Sequence, residues 1–353
     1  MSYCIFVINP GSSSLKISLY EDEREIFSVT KRLSPDDIDK NASIYLQVDF
    51  FYQTILDVIE EKQVDFKTID AIAARGGFCK PVKSGTYAIN DALLDDLEHA
   101  RYGEHTCNVS PICAKRLSDK YGIPAYFTNP VSVDEFMPLS YITGIPSIRR
   151  ASVFHALNHK ATAGYAAKQL GKRYDEVNLI VAHMGGGTSI AAHQKGLVID
   201  ATCPVNDGPM SIDRPGSLPN LDIIDLCYNG GYTYEHIVRM FSSQCGITAY
   251  CGMSDLIKIE ELAKTDETIA LALDAMSYRI AFWICGFAAT LNGEVDAIVL
   301  TGGMAKSDWI VPKVMERIKF LAPVIVIRGE FEMQALAEGA IRVLSGVEEA
   351  GKY

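Results

Sequence analysis

The sequence predicts an α/β protein with two domains built on mixed sheets. Short β-rich runs alternate with longer helical runs along the chain, which is the pattern of α/β folds. A strand, a Gly-rich turn and a second strand open each half, at 4–20 and again at 177–193. This internal repeat indicates duplication. The length of 353 residues suits two domains of ordinary size.

In the first half, apolar runs bounded by turn residues predict strands at 4–8, 16–20, 69–74 and 125–128. Apolar residues at helical spacing predict helices at 43–63, 92–100 and 111–121. We assign residues 1–150 to the first domain and expect a C-terminal helix, within 333–353, to complete it.

In the second half, three strands at 177–183, 189–193 and 197–202 are predicted to form an antiparallel meander. The same patterns predict further strands at 297–301 and 324–327, and helices at 156–170, 222–228, 234–245, 268–291, 310–321 and 332–345. We assign residues 151–332 to the second domain.

Composition narrows the class of protein. The net charge of −11, from 33 basic and 44 acidic residues, argues against nucleic-acid or anionic-membrane partners. The nine cysteines never form C-x-x-C, which favours a reducing compartment. The first residues lack the basic lead of a signal peptide, and no apolar run reaches the ~18 residues that span a bilayer. We expect a cytoplasmic protein that acts on small molecules.

Three Gly-rich turns follow apolar strands, at 11–14, 185–189 and 301–303. Glycine lets the backbone approach a ligand, and N–H and hydroxyl groups donate to phosphate oxygens. Lys16 adds a positive charge after the first turn. P-loop, Rossmann, protein-kinase and zincin motifs are absent from the sequence. The turns therefore predict a nucleotide held between two domains.

Three histidines lie near these turns or at the domain boundary. His155 and His159 are four residues apart and share a face of a predicted helix. With no adjacent Glu and no obvious third ligand, zinc is disfavoured, and a histidine that acts on charge during transfer is favoured. His183 precedes the second turn, where a buried core histidine and a ligand-binding one are equally compatible with the pattern.

Two arginines and two acids complete the candidates. Arg75 and Arg214 lie beside Gly and Pro residues that restrict their loops, so each is a candidate anion clamp. Asp134 and Glu332 are candidate Mg²⁺ carboxylates, because magnesium prefers one or two carboxylates with waters and phosphates.

Several segments resemble signatures of the acetate/butyrate kinase family. In the family's order, they are NPGSSSLK at 9–16, VFHALNHK at 153–160, AHMGGGTS at 182–189 and LTGGM at 300–304. The tail GEFEMQALAEGA at 329–340 resembles the butyrate branch. Arg75-Gly76-Gly77 stands where the acetate branch carries Arg-x-x-His-Gly-Gly, so the role of Arg75 is inferred, and this departure also favours the butyrate side.

The resemblance implies two duplicated actin-like, ribonuclease H-like domains with ATP in an interdomain cleft. It implies transfer from ATP to a carboxylic acid, giving an acyl phosphate and ADP, with Mg²⁺. The expected acid is butyrate, and isobutyrate, acetate and propionate are alternatives. A homodimer or higher homo-oligomer is also implied.

The resemblance also assigns roles to individual residues. Asn9 would lie near Mg²⁺ and the transferred phosphate, with Ser12, Ser14 and Lys16 around it. His155 would stabilise the phosphoryl group, Arg214 would hold the substrate, and Asp134 and Glu332 would position Mg²⁺. The nucleotide would be lined by His183, Gly185, Gly186 and Gly187 at the phosphates and by Asp255, Gly302 and Gly303 on the adenosine side.

The implied chemistry agrees with the cationic candidate residues. A carboxylic acid, with a pKa near that of Glu, is ionised at neutral pH and needs no general base. One alternative is a kinase of the same fold that acts on a hydroxyl, with Asp134 or Asp207 as base. Another is a non-catalytic ATP-binding protein of the actin and chaperone type.

Overall fold

The computed structural model describes residues 2–11, 14–33 and 43–353. Its strands are β1 Cys4–Pro10, β2 Ser14–Glu21, β3 Arg24–Arg32, β4 Ala71–Arg75, β5 Thr86–Ala88, β6 Ala125–Thr128, β7 Asn178–Met184, β8 Thr188–Gln194, β9 Leu197–Ala201, β10 Ala297–Thr301, β11 Val324–Val326 and β12 Gly351–Lys352. Its helices are α1 Val48–Glu61, α2 Asp91–Glu98, α3 Val109–Tyr121, α4 Ala156–Gln169, α5 Asn220–Asn229, α6 Tyr234–Ser243, α7 Thr248–Cys251, α8 Leu256–Ala263, α9 Glu267–Thr290, α10 Ile310–Ile318 and α11 Glu332–Leu344.

The chain divides into two compact units. Unit 1 comprises residues 1–134 and 331–353, and unit 2 comprises residues 135–330. The sequence predicts a first domain at 1–150 and 333–353, so unit 1 ends 16 residues earlier and resumes two residues earlier than predicted. The chain joins unit 2 at Glu135, since the Glu135 carboxylate accepts hydrogen bonds from Lys160 Nζ (2.6 Å) and the Val198 N–H (2.8 Å).

Unit 1 is built on a seven-stranded mixed sheet of order β12-β5-β6-β4-β1-β2-β3. β1 pairs antiparallel with β2 and parallel with β4. α11 packs on β1, β4 and β6, and α3 packs on the same three strands. Phe6, Ile8, Phe51 and Phe127 are fully buried in this core. The C-terminal helix thus lies in unit 1.

Unit 2 is built on a five-stranded sheet of order β11-β10-β7-β8-β9. β7, β8 and β9 form the predicted antiparallel meander, and β10 runs parallel to β7. α9 has 24 residues and is long and apolar enough, by length and composition alone, to cross a membrane. Leu273, Met276, Ile280 and Ile284 recur at helical spacing and are fully buried in this unit's core, as in a core helix.

The two sheets share one arrangement of five strands. In unit 1 the order β6-β4-β1-β2-β3 has an antiparallel meander followed by two parallel strands, and in unit 2 the order β11-β10-β7-β8-β9 has the same. The predicted mixed α/β architecture is confirmed, and the repeated order agrees with a duplicated origin. The helix predicted over 43–63 begins only at Val48, after a 3₁₀ turn at Ile44–Gln47.

Candidate active site

The ends of two parallel strands bring three predicted residues of unit 1 together. Asn9 lies near the end of β1 and Arg75 at the end of β4, and the register of the two strands makes them neighbours. Glu332 begins α11. Asn9 Nδ2 donates to Glu332 Oε2 (2.8 Å), and Arg75 Nη1 donates to the same oxygen (3.1 Å) and to Asn9 Oδ1 (3.3 Å). Asn9 and Glu332 are buried, so these hydrogen bonds hold them in place.

The first Gly-rich turn lies beside this cluster. Lys16 is directly opposite Asn9 in the β1–β2 pair, so both side chains leave the same face of the sheet. Ser14 begins β2, and its carbonyl accepts a hydrogen bond from the Gly11 N–H (2.7 Å) across the turn. Ser12 lies outside the described residues.

Asn9 and Glu332 supply oxygen atoms of the kind that Mg²⁺ prefers. Magnesium is usually held by one or two carboxylates together with waters and phosphate oxygens. Asp134, the third predicted ligand, lies in unit 1, where its N–H donates to the Val82 carbonyl (2.8 Å). Among residues 2–11, 14–33 and 43–353, no group of three or more His, Cys, Asp or Glu could hold a metal. The oxygen donors of Asn9 and Glu332 fit Mg²⁺, and the role of these residues toward Mg²⁺ stays a prediction.

The second and third Gly-rich turns lie at the ends of neighbouring parallel strands in unit 2. The turn at 185–187 connects β7 to β8, and a Cβ on Gly186 would lie 3.1 Å from Asp213 Oδ2. Gly302 follows β10 and has φ +91°, and a Cβ there would lie 2.5 Å from the Met184 carbonyl oxygen. Glycine at 302 is required both by its conformation and by this close approach.

Arg214 carries unused hydrogen-bond donors beside the 185–187 turn. Its Nε and Nη1 atoms are buried and make no hydrogen bond to any residue that the structure describes. Asp213 Oδ1 lies 3.6 Å from Nε, which is too far for a hydrogen bond. The loop is tied to the turn because the Asp213 N–H and the Ser211 hydroxyl both donate to the Gly186 carbonyl. Asp213 thus pairs with Arg214 by charge and leaves Nε and Nη1 without a hydrogen bond. Buried donors that make no hydrogen bond are unfavourable, so this arrangement suits an anionic ligand.

Electrostatics around Arg214 follow from burial. Desolvation raises the pKa of Asp213 above its usual value, and the neighbouring Arg214 opposes that shift. An ideal Cβ on Gly187 would lie 4.0 Å from Arg214 Cγ and 3.8 Å from His155 Cε1. Gly187 therefore lies next to two of the candidate catalytic side chains, those of Arg214 and His155.

His155 immediately precedes α4, and its ring stacks on that of His183, with centroids 4.0 Å apart and planes inclined by 16°. Asn158 Nδ2 lies 2.8 Å from His183 Nδ1 and donates to it. A neutral His183 therefore carries its proton on Nε2, which lies 3.8 Å from Glu330 Oε1. His159, in the first turn of α4, is fully buried.

Two of the three candidates on the predicted adenosine side, Asp255 and Gly303, lie at a helix N-terminus and in a 3₁₀ turn. Asp255 caps α8, where Oδ1 accepts hydrogen bonds from the N–H groups of Ile257 (3.1 Å) and Lys258 (3.4 Å). Gly303 begins a 3₁₀ turn, and a Cβ there would meet no atom within 4 Å. Their roles toward a nucleotide stay predictions.

Sequence reasoning did not single out Asn158 or Asp213. Asn158 Nδ2 also donates to Thr301 Oγ1 (3.3 Å), which links α4 to the end of β10. Its position three residues after His155, on the same helical face, was the available signal. Asp213 adjoins Arg214 in sequence, and an acid beside an arginine in a loop carries little information by itself.

Comparisons with known proteins identify relatives along the whole chain. Butyrate kinase 1 of Clostridium acetobutylicum is 41% identical over 353 residues, which are 99% of this chain and 99% of that protein. Butyrate kinase 2 of the same organism is 41% identical over 355 residues, covering 100% of both chains.

Solved structures share the fold. An acetate kinase from Porphyromonas gingivalis matches with a TM-score of 0.77 and 22% identity, covering 97% of this chain and 100% of that chain. A propionate kinase from Francisella tularensis matches with a TM-score of 0.74 and 22% identity, covering 96% of this chain and 98% of that chain.

The model of the acetokinase family matches residues 137–334, which is more than half of the chain. This match and the full-length relatives confirm the resemblance that the sequence motifs indicated. The chain belongs to the acetokinase family.

Proposed function

We propose that this protein transfers the γ-phosphoryl group of ATP to a short-chain carboxylic acid, with butyrate as the principal acceptor. The products are butyryl phosphate and ADP. The choice of butyrate is supported by the two butyrate kinases that are each 41% identical over nearly the whole chain. Isobutyrate, propionate and acetate are the alternative acceptors.

The observation that carries the proposal is the partly buried Arg214 side chain, whose Nε and Nη1 atoms are buried and make no hydrogen bond to a described residue beside the Gly-rich turn at 185–187. A carboxylate is already the nucleophile at neutral pH, so no general base is needed. What opposes the reaction is the approach of one anion to another. Arg214 and His155 supply a cation and a ring N–H group, which stabilise the negative charge that phosphoryl transfer redistributes.

Two covalent bonds change in the proposed reaction. A carboxylate oxygen forms a bond to the γ-phosphorus while the bond from that phosphorus to the β,γ-bridging oxygen breaks, and its electron pair leaves with ADP. The donors of unit 2 act by position and charge. Asn9 and Glu332, with Asp134, would hold Mg²⁺, which neutralises phosphate charge when bound.

A kinase that acts on a hydroxyl would need a base, and Asp207 is already engaged. Its carboxylate accepts hydrogen bonds from Arg150 Nε (3.2 Å) and the Cys203 N–H (2.6 Å). These bonds support a structural role for Asp207.

Self-association is also part of the proposal. No residue of α5 or α6 is buried, and Leu221, Ile224 and Tyr228 place apolar side chains on one face of α5. Exposed apolar faces of this kind mark interfaces, and a homodimer agrees with the family resemblance. All nine cysteines are free thiols, which supports work in a reducing compartment such as the cytoplasm.

Trapping the product as a hydroxamate tests the proposed reaction. Purified protein with ATP, Mg²⁺ and hydroxylamine should form butyryl hydroxamate, and kcat/KM should be higher for butyrate than for acetate. Glucose serves as a hydroxyl acceptor in a parallel ADP-release assay and should give no transfer. Release of ADP with glucose but no hydroxamate would favour the hydroxyl-kinase alternative.

A further inference from the structure

A chain of hydrogen-bonding groups lies behind His155. His155 Nδ1 lies 2.8 Å from Ser189 Oγ, which lies 2.9 Å from His159 Nε2. His159 Nδ1 lies 3.3 Å from His193 Nε2, and His193 Nδ1 lies 2.7 Å from the Tyr174 hydroxyl. We call these five residues the histidine chain. It connects the His155 ring to the partly buried Tyr174.

Secondary structure produces this alignment. His155 and His159 are four residues apart at the start of α4, and so lie on one face. Ser189 and His193 are four residues apart on β8, and so point to one side of the sheet. Residues of α4 and β8 therefore alternate along the histidine chain. Tyr174, in a 3₁₀ turn, is the last residue of the histidine chain.

The interior residues of the histidine chain carry no charge. His159 and His193 are fully buried, and desolvation lowers the pKa of each well below its usual value. Burial also raises the pKa of Tyr174 well above its usual value, so its phenol keeps its proton. Each neutral imidazole has one N–H donor and one acceptor nitrogen, and each hydroxyl has one proton.

Each neutral imidazole donates at one ring nitrogen and accepts at the other, so the three hydrogen bonds made by His159 and His193 must point the same way. Ser189 Oγ also accepts from the His155 backbone N–H (3.4 Å). Its proton and its remaining lone pair therefore serve its two ring neighbours and continue the same direction to His155. If Tyr174 donates to His193, then His193 donates to His159, His159 donates to Ser189, and Ser189 donates to His155 Nδ1. The proton of His155 then lies on Nε2. If all the hydrogen bonds of the histidine chain point the opposite way, His155 donates through Nδ1 and its Nε2 has only a lone pair.

The Tyr174 hydroxyl favours the first direction. Its described hydrogen bond is with His193 Nδ1, and donation into the chain uses its proton in that bond. In the reverse direction the proton would need a different acceptor. The first direction also presents an N–H at His155 Nε2, whereas a lone pair there would repel phosphoryl oxygens.

We propose that Tyr174 and His193 are positioning residues that hold His155 as its Nε2–H tautomer, so that it can donate a hydrogen bond to the transferring phosphoryl group. The use of that N–H in catalysis rests on the proposed function. The tautomer itself does not, and it can be measured without turnover.

Nitrogen NMR of the protein labelled with ¹⁵N-histidine tests the proposal directly. The two ring nitrogens of a neutral imidazole differ according to which one carries the proton, and His155→Gln identifies the signals of His155. In the full-length protein we expect the proton on Nε2. In Tyr174→Phe, which keeps the ring and removes the hydroxyl, we expect a mixture with the Nδ1–H form.

The same variant should lower kcat by about 10-fold, an effect typical of groups that orient a catalytic side chain from behind. KM for ATP should not change, because the Gly-rich turns, which are predicted to bind the phosphates, are intact. Tyr3→Phe is the matched control. It removes a partly buried tyrosine hydroxyl whose described bond, to the Leu344 carbonyl (3.2 Å), lies in unit 1, and it should change neither the tautomer nor kcat.

Substitution of His193 gives a second test that does not depend on the folding of Tyr174→Phe. In His193→Gln, the side-chain carbonyl can accept from Tyr174 while the amide donates to His159, so the direction is kept. His193→Leu removes the hydrogen-bonding groups at this position and so interrupts the histidine chain. We expect His193→Gln to retain the Nε2–H form of His155 and more activity than His193→Leu.

A proton on His155 Nδ1 in the full-length protein would overturn the proposal. An unchanged tautomer and kcat in folded Tyr174→Phe would also overturn it. If the tautomer depends on Tyr174 but no acyl phosphate forms from any acid, the proposed reaction fails while the assignment of Tyr174 and His193 to the tautomer stands.

Discussion

Arg214 has two buried donor atoms, Nε and Nη1, that make no hydrogen bond to the described residues. Its planar fork matches a carboxylate or phosphoryl group through two parallel bonds. We expect Arg214→Ala to lower kcat/KM for butyrate by about 10²–10³-fold, as for loss of a preorganised donor. Arg214→Lys keeps the charge but loses the fork, so its loss should be smaller. Steady-state kinetics measure both effects.

Binding of ATP separates a local effect from a general one. Both variants should bind ATP normally by calorimetry, because the Gly turns are unchanged. Arg116→Ala is the control, since Arg116 is an exposed arginine of unit 1 paired with Asp49. Full activity of Arg214→Lys would reduce the role of Arg214 to a nearby charge, and full activity of both variants would place the substrate elsewhere.

His155 acts on the transition state in this account. Replacement by Ala removes the N–H donor beside Gly187, and we expect kcat to fall by about 10²–10³-fold. KM for ATP should change little, because ground-state binding depends on the turns. A near-normal kcat in His155→Ala would mean that the stack on His183 is only structural.

At the scale of elements, the turn after β10 depends on one glycine. Gly302 has positive φ, and a Cβ would lie 2.5 Å from the Met184 carbonyl oxygen. We expect Gly302→Ala to lower the free energy of unfolding by about 1–3 kcal/mol, and hence Tm by several degrees. Thermal unfolding followed by circular dichroism measures this loss.

The next residue provides the control. Gly303 has no atom within 4 Å of an ideal Cβ, so Gly303→Ala should leave Tm nearly unchanged. Equal Tm values for the two variants would contradict the argument that the backbone of this turn is held against β7.

Elements could be predicted from sequence where burial makes their pattern strong. β1 and β7 are apolar along nearly their whole length because both faces are covered, and their predicted ranges overlap the observed ones. β3 escaped prediction because it is an edge strand, with charged residues at both ends and no buried position. Charged edges are how sheets avoid further pairing, and they dilute the strand signal.

Across the whole molecule, the sequence points to candidate site residues where the neighbouring residues in the chain are distinctive, and their roles stay predictions. Arg214 stands beside Pro215 and Gly216, and Gly302 directly follows an apolar strand. His193 and Tyr174 could not be predicted, because their link to His155 depends on how α4 lies against β8. No local pattern encodes that packing.

The surface of α5 and α6 carries the prediction about assembly. Leu221 and Tyr228 are 79% and 84% exposed, which is unusual for large apolar side chains on one helix face. We expect the wild-type protein to sediment as a dimer or larger and Leu221→Asp to dissociate it toward the monomer of 38.8 kDa. Analytical ultracentrifugation measures this change.

Phe320→Asp is the matched control, because Phe320 is also a large exposed apolar residue, at 74%, but lies outside α5 and α6. It should leave the oligomeric state unchanged. A monomeric wild-type protein at micromolar concentration, or unchanged association of Leu221→Asp, would contradict the assignment of this surface.

The central claim is direct phosphoryl transfer from ATP to a carboxylate oxygen, and ³¹P NMR with ¹⁸O-labelled butyrate tests it most directly. We predict ADP and butyryl phosphate, with the phosphorus signal of the product shifted by one bonded ¹⁸O atom. Formation of AMP and pyrophosphate would mean attack at the α-phosphorus instead. Release of inorganic phosphate without any acyl phosphate would mean that the protein is an ATPase, and either result would contradict the account.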